Sequence, residues 1–74
     1  MNGATGGLRY REVVLRLRRF GFQFEREGAG SHEIWFNSRT ERRVIVPKHR
    51  RAIAEGTLRS ILRQAGIGVD DFLA

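Results

Sequence analysis

The middle of the chain contains three short segments with the composition of β-strands, separated only by turns. The segments span residues 22–26, 32–37 and 42–46. The first alternates apolar and polar residues, and the other two are rich in aromatic and β-branched types. The connections at 28–31 and 37–40 are too short for a crossover helix, so consecutive strands can only pair antiparallel. The sequence therefore predicts a three-stranded antiparallel meander, whose last strand ends at Pro47 because proline has no N–H for a ladder.

A helix is predicted on each side of this meander. Before it, apolar residues recur at helical spacing from Tyr10 to Phe20, and Gly21 is suited to end the helix. After it, apolar residues recur from Leu58 to Ala65, with Thr57 as the predicted N-cap. The order α-β-β-β-α indicates an α+β fold, a two-layer sandwich in which two helices cover one face of the sheet. The other face stays open to solvent or to a partner.

The helix after the meander is expected to end at Gly66 and Gly68. One further short turn is predicted over residues 69–73, with Asp70 as its cap.

Alternation along the strands predicts which residues face the helices. It favours a core of Ile34, Phe36, Val44 and Val46, with Trp35 and Ile45 on the open face. His32 shares the parity of Ile34 and would then point toward the helices, although alternation constrains the first residue of a strand least. The inverse register stays open, because a shift of one residue exchanges the two faces.

The chain is small, lacks cysteine and is strongly basic. Its 74 residues are enough for one domain; we expect residues 8–74 to form it and the glycine-rich residues 1–7 to be a disordered tail. Without cysteine there is neither a disulfide framework nor a thiolate metal site. No apolar run is long enough to span a membrane and no signal-peptide pattern is present, so we expect a cytoplasmic protein.

The basic charge is concentrated in one segment. The formal net charge is +6, and Lys48 is the only lysine among 14 basic residues. Residues 39–51 contain six of these basic residues and a single acid, Glu41. Such an excess indicates a polyanionic partner, with nucleic acid the first candidate and an anionic membrane or an acidic protein as alternatives.

Few side chains could carry out chemistry. His32 and His49 have no cysteine to complete a zinc site, and Ser31 and His32, as neighbours on a strand, would point to opposite faces and could not act together in a serine hydrolase. One histidine on a basic domain is nevertheless sufficient for RNA cleavage, because RNA supplies its own 2′-OH nucleophile. A lone histidine at the start of a strand is more often an ordinary surface residue, and the residues alone leave both interpretations open.

Three blocks of the sequence together resemble the HicA toxins of bacterial toxin–antitoxin systems. They are GSH at residues 30–32, VPKH at 46–49 and EGTLRSILRQAGI at 55–67. The resemblance covers roughly residues 8–74 and implies a double-stranded-RNA-binding-domain-like fold. It also implies a metal-independent endoribonuclease, an mRNA interferase that needs no cofactor, arrests translation and is neutralised by an acidic HicB-type antitoxin.

The resemblance gives His32 the catalytic role, as the general acid or base in attack by the 2′-OH. We expect Lys48, Arg50 and Arg51 to hold the RNA backbone, and the N–H groups of Gly56, Thr57 and Leu58 at the start of the second helix to bind a phosphate. The full set of expected nucleic-acid-binding residues is Gly30, Ser31, Lys48, His49, Arg50, Arg51, Gly56 and Thr57. Glu33 directly follows the catalytic candidate, and the sequence does not predict whether it points away from His32 or tunes it.

The main rival hypothesis is a non-catalytic basic RNA-binding module of the same fold, which would bind duplex RNA and release no product. A third is a protein-interaction domain whose arginines serve an acidic partner. Incubation with labelled single-stranded RNA in EDTA separates the nuclease from the binding module.

Overall fold

The three predicted strands form one antiparallel sheet. The computed structural model describes residues 7–74, so the predicted tail lies outside the described residues except for Gly7. The elements are α1 (Tyr10–Arg19), β1 (Gln23–Glu27), β2 (His32–Asn37), β3 (Arg42–Pro47), α2 (Glu55–Ala65) and α3 (Val69–Leu73). The strand order is β1-β2-β3 with both pairs antiparallel. The α+β fold with an open three-stranded sheet is confirmed, and the predicted terminal turn is a short third helix.

The predicted register of β2 is wrong. Trp35 is buried with 1% of its surface exposed, whereas Ile34 and Phe36 are only partly covered. Trp35 pairs directly with Val44, so both side chains lie on the sheet face that packs against the helices. The predictions of a buried Val44 and an exposed Ile45 are correct. His32 has the opposite parity to Trp35 and therefore lies on the open face rather than pointing toward the helices.

The first strand is more exposed than its alternation predicts. All five residues of β1 are exposed, and the buried aromatic residue of this region, Phe22, lies just before the strand. The pairing with β2 shifts by one residue between Phe24 and Arg26, which marks a β-bulge. Phe24 packs edge-on against Trp35 with ring centroids 6.1 Å apart, so it contacts the core although its own side chain stays exposed.

The apolar stripe of α1 is confirmed. Val13, Val14 and Leu17 are buried against the sheet, and Phe20 covers the end of the core beside Phe72 of α3. The spacing of these residues places them on one side of a helix with 3.6 residues per turn.

The second helix packs along β3 through Leu58, Ile61, Leu62 and Ala65. It begins at Glu55 with Ala54 as its N-cap, so the prediction that Thr57 caps it is wrong. The end is as predicted: Gly66 adopts the left-handed conformation at φ +74°.

The short α3 also lacks the predicted cap. Gly68 is its N-cap, and Asp70 lies inside the first turn. Within residues 7–74, no helix has the length and apolar character required to cross a membrane.

Candidate active site

His32 is the first residue of β2, directly after a glycine turn, and its side chain is exposed. Its Nδ1 lies 3.0 Å from the carbonyl oxygen of Ala29, and its backbone N–H donates to the same oxygen at 3.2 Å. Gly30 makes this turn possible because it adopts φ +60°. A carbonyl oxygen can only accept hydrogen bonds, so Nδ1 carries the hydrogen and the neutral ring presents an unprotonated Nε2. The turn therefore orients the ring with its basic nitrogen available.

His32 lines a shallow groove between β3 and α2. The groove has a volume of about 360 Å³, and its lining includes Ile45 and Pro47 from the strand and Gly56, Thr57, Ser60 and Gln64 from the helix. His32 pairs with Pro47 across the sheet. Because α2 packs against β3, the first turn of α2 is brought to the same groove as the histidine. We call this the His32 groove.

Two of the predicted binding residues share this groove. Gly56 and Thr57 occupy the first turn of α2, where backbone N–H groups have no partner inside the helix. Leu58 does have one, since its N–H donates to Ala54 at 2.9 Å. A side chain on Gly56 would meet nothing within 4 Å, so the groove is open at this point. The N–H groups that remain for an anion are thus those of Gly56 and Thr57.

Sequence reasoning missed two polar residues of the His32 groove, Ser60 and Gln64. They follow Gly56 at four-residue intervals, which places all three on one side of α2. Gln64 accepts the backbone N–H of Ile45 at 2.9 Å and donates to Ser60 Oγ at 3.1 Å. The four-residue spacing was the available signal, but the edge of β3 that Gln64 covers cannot be identified before the fold is known.

The basic side chains after β3 lie elsewhere. Lys48 donates its backbone N–H to Ser31 at 2.7 Å, so the chain passes close to the histidine turn. Its side chain, however, lies on the α1 side of the sheet, and Lys48, His49 and Arg50 line a second groove beside α1. Arg51 is exposed and lines neither groove. The predicted set of binding residues is therefore divided between two sides of the molecule.

Glu33 points away from His32 and is buried beneath α1, with 4% of its surface exposed. Its Oε1 accepts hydrogen bonds from Tyr10 Oη at 2.6 Å and Trp35 Nε1 at 3.0 Å, and Lys48 Nζ lies 3.6 Å from Oε2. Burial alone would raise the pKa of Glu33, but these hydrogen bonds and the lysine charge outweigh it and hold the pKa below its usual value. Glu33 therefore joins α1, β2 and the segment after β3.

The pKa of Tyr10, the hydrogen-bond partner of Glu33, is shifted upward instead. Burial, together with the hydrogen bond to Glu33 and its negative charge, raises the pKa of Tyr10 to about 12. The hydroxyl consequently keeps its proton at any physiological pH and acts only as a donor to the carboxylate.

Metal ligands are not gathered in this region. Between residues 7 and 74, no three histidine, aspartate or glutamate side chains come together as a candidate metal site.

Comparison with known proteins adds one positive result. A search of curated proteins found no match. Residues 10–67 match the family model described as the HicA toxin of bacterial toxin–antitoxin systems. The match begins at the first residue of α1 and ends just after the glycine that caps α2, so it contains the whole sheet, the histidine turn, the His32 groove and every lining residue of the second groove except Arg9. The chain is therefore a member of the HicA toxin family, the toxin partner of a toxin–antitoxin pair.

Proposed function

We propose that this protein is an endoribonuclease that cleaves mRNA in the cytoplasm and so inhibits translation. The observation that carries the proposal is the hydrogen bond between His32 Nδ1 and the Ala29 carbonyl at 3.0 Å. It leaves Nε2 of an exposed imidazole free to accept a proton, in a groove that also contains the first turn of a helix. Family membership supports the same assignment, since residues 10–67 match a toxin family.

In the proposed reaction, Nε2 of the neutral His32 removes the proton from a ribose 2′-OH. The 2′-oxygen then attacks the adjacent phosphorus, and the bond from phosphorus to the 5′-oxygen breaks. Water protonates the leaving oxygen, and the hydroxide that remains takes the proton from the His32 imidazolium. The products are a 2′,3′-cyclic phosphate and a 5′-hydroxyl end, and His32 is again neutral. An imidazole suits this step because it can both accept and donate a proton near neutral pH. DNA lacks the 2′-OH and would not be cleaved.

The first turn of α2 is the proposed phosphate contact. The N–H groups of Gly56 and Thr57 lie at the positive end of the helix dipole and would donate to the phosphate oxygens on which charge develops. Gly30 and Ser31, in the exposed turn next to His32, would approach the RNA backbone on the other side. Their role is to position the phosphate relative to Nε2.

The cations after β3 take a different part in this proposal. The side chains of Lys48, His49 and Arg50 lie outside the His32 groove, so we assign the charges of Lys48, Arg50 and Arg51 to attracting RNA rather than to holding the scissile phosphate. Their charge acts over about 10 Å at moderate ionic strength, and binding should weaken as salt is added.

The decisive test compares two histidine variants. Purified wild-type protein, His32→Ala and His49→Ala are incubated with end-labelled single-stranded RNA in EDTA. We expect His32→Ala to lose about 10²- to 10⁴-fold in cleavage rate, while His49→Ala, which changes the same residue type outside the groove, stays within a few fold of wild type. Circular dichroism establishes that both variants are folded.

Two results would overturn the assignment. If folded His32→Ala cleaves as fast as wild type, the histidine is not the general base. If wild type binds RNA without producing cyclic phosphate ends, the protein is the non-catalytic RNA-binding module. Replacing the ribose at the cleavage position with deoxyribose is the matched substrate control, and it should block cleavage entirely.

The antitoxin is proposed to be an acidic protein of the HicB type. The net charge of +6 supports an acidic partner. Co-expression with the product of the adjacent reading frame, followed by purification of the complex, tests this pairing directly.

A further inference from the structure

The larger of the two grooves lies beside α1, on the side of the sheet opposite to the His32 face. It has a volume of about 1050 Å³ and is lined by one side of α1 and by residues 48–50. We call it the α1 groove. Its α1 residues include Arg11, Val14, Leu15 and Arg18, which follow the three- and four-residue spacing of a single helix face.

The floor of the α1 groove is apolar. Leu15 is 52% exposed, whereas Val13 and Leu17 of the same helix are buried. The partly buried ring of Tyr10 and the 8% of Val14 that is exposed adjoin it. A single exposed leucine is ordinary on a protein surface, but an apolar floor inside a concave surface is typical of a binding site.

The rim of the groove is strongly basic. Arg9, Arg11, Arg18, Lys48 and Arg50 line it against one acid, Glu12. Arg9 is held in place by a hydrogen bond to the Arg50 carbonyl at 2.7 Å, and Arg18 lies 5.0 Å from the centroid of the Trp35 ring. The rim is thus partly preorganised, and its excess of positive charge calls for a negatively charged ligand.

The α1 groove does not share its lining with the His32 groove. Glu33, which contacts Lys48 at the edge of the α1 groove, and His32 lie on opposite faces of β2 because they are neighbours on a strand. His32 is absent from the lining of the α1 groove, and Leu15 is absent from the lining of the His32 groove. A ligand in one groove therefore leaves the other accessible.

We propose that the α1 groove docks an acidic, amphipathic helical segment of the antitoxin. Apolar side chains at helical spacing would cover Leu15 and the exposed part of the Tyr10 ring, and carboxylates flanking them would meet the arginines of the rim. An RNA strand fits less well, because bases stack on aromatic rings, and the one aromatic ring in the lining, that of Tyr10, already has Lys48 Nζ 5.7 Å from its centroid. The proposal rests on membership in a toxin–antitoxin family and does not require that the protein cleaves RNA.

The test uses a synthetic peptide as the probe. A helical peptide of about 15 residues, with leucine at i, i+4 and i+7, glutamate at the positions flanking them and alanine elsewhere, is titrated into the full chain labelled with ¹⁵N. We expect the largest amide shifts at Val14, Leu15 and Arg11 and none at His32. An RNA duplex of about 16 base pairs is titrated in parallel. Selective shifts of the α1 amides by the duplex, with none from the peptide, would assign the groove to RNA and overturn the proposal.

Three variants identify the contacts. Leu15→Gln removes the apolar anchor and Arg11→Glu reverses a rim charge, and each should weaken peptide binding about tenfold. Arg19→Glu is the matched control, since it makes the same charge change on the same helix outside the groove, and it should weaken binding less than about threefold. Equal weakening by Arg11→Glu and Arg19→Glu would mean non-specific attraction and would refute a docking site.

RNA cleavage by the same variants separates this proposal from the proposed nuclease function. Leu15→Gln should cleave RNA at the wild-type rate while it loses peptide binding. A chain that binds the peptide but cleaves no RNA would refute the nuclease assignment alone.

Discussion

The hydroxyl of Tyr10 lies 2.6 Å from Oε1 of Glu33 and joins the first turn of α1 to the buried face of β2. Tyr10 is the only tyrosine of the chain, so its ionisation can be followed by absorbance without interference from other phenols.

The first prediction concerns this titration. Burial and the interaction with Glu33 raise the pKa of Tyr10 to about 12, whereas an unfolded chain ionises near 10. A raised folded-state pKa contributes stability that is complete below pH 10 and is lost as the pH rises toward 12. We expect tyrosinate absorbance of the native protein to appear well above that of the urea-unfolded protein. In Glu33→Gln the pKa should fall toward 10; coincident curves for the native and unfolded wild type would contradict the buried contact.

The second prediction concerns stability in acid. The folded-state pKa of Glu33 is lowered. Its contribution to the free energy of unfolding is therefore complete above the pKa of the unfolded state, about 4.3, and is lost as the pH falls through the pKa of the folded state. Glu33→Gln should cost about 1–3 kcal/mol at neutral pH, the range for disrupting a buried hydrogen-bonded group. It should also flatten the decline in free energy of unfolding below pH 5. Urea denaturation across this range measures both effects, with Glu27→Gln, an exposed acid of β1, as the control.

The third prediction tests which face of β2 is buried. Trp35 is almost fully enclosed, whereas Phe36 is partly exposed and covered by the Arg43 guanidinium, 4.2 Å above its ring. Trp35→Ala should cost about 3–5 kcal/mol, a large part of the total stability of a small domain. Phe36→Ala should cost less than about 2 kcal/mol. Thermal unfolding of the two variants measures both losses of stability. A larger loss of stability for Phe36→Ala would support the register that alternation favoured.

The fourth prediction concerns the outer edge of β3. Gln64 accepts the N–H of Ile45 at 2.9 Å and so covers one edge position of the strand. In Gln64→Ala this hydrogen bond is lost, and hydrogen exchange at Ile45 should accelerate about fivefold, the equivalent of one hydrogen bond of about 1 kcal/mol. The amides of Val44 and Val46 face β2 by alternation and serve as internal controls. Uniform acceleration of all three amides would indicate general destabilisation and not the loss of this contact.

Much of the architecture was predictable because local patterns determine it. Turn spacing and residue type predict the order of elements and the bounds of β2. The end of α2 at Gly66 is predictable because glycine readily adopts the left-handed conformation that a helix end requires. The catalytic role of His32 stays a prediction: the chemistry of imidazole allowed it, and only the resemblance carried by three blocks of sequence assigned it.

The register of β2 could not be predicted because its buried face carries two polar residues. Glu33 and Asn37 flank Trp35 on that face, which makes the opposite parity look more apolar. Each is satisfied by partners that only the folded chain supplies. Asn37 donates to the Phe20 carbonyl at 2.9 Å and accepts the Arg39 N–H at 2.9 Å. The alternation rule assigns polar residues to the exposed face, whereas Glu33 and Asn37 can be buried because they form hydrogen bonds with other elements.

The directions of the basic side chains could not be predicted from the sequence for a related reason. Lys48 comes only one residue after Pro47, which pairs with His32, so its proximity to the histidine was predictable. Its direction was not, because the buried carboxylate of Glu33 draws it to the α1 side. The sequence therefore indicated one basic site where the structure has two separate grooves.

Because His32 and Glu33 are adjacent in the chain but lie on opposite faces of β2, we expect substitutions at these two neighbouring codons to have different consequences under the proposed function. In a selection for cells that survive expression of the toxin, changes at His32 should leave a normal amount of folded protein that still captures its antitoxin. Changes at Glu33 should instead reduce the amount of protein, since they weaken the contacts that hold α1 on the sheet. Survivors would then fall into two groups, distinguished by how much antitoxin each cell still has bound.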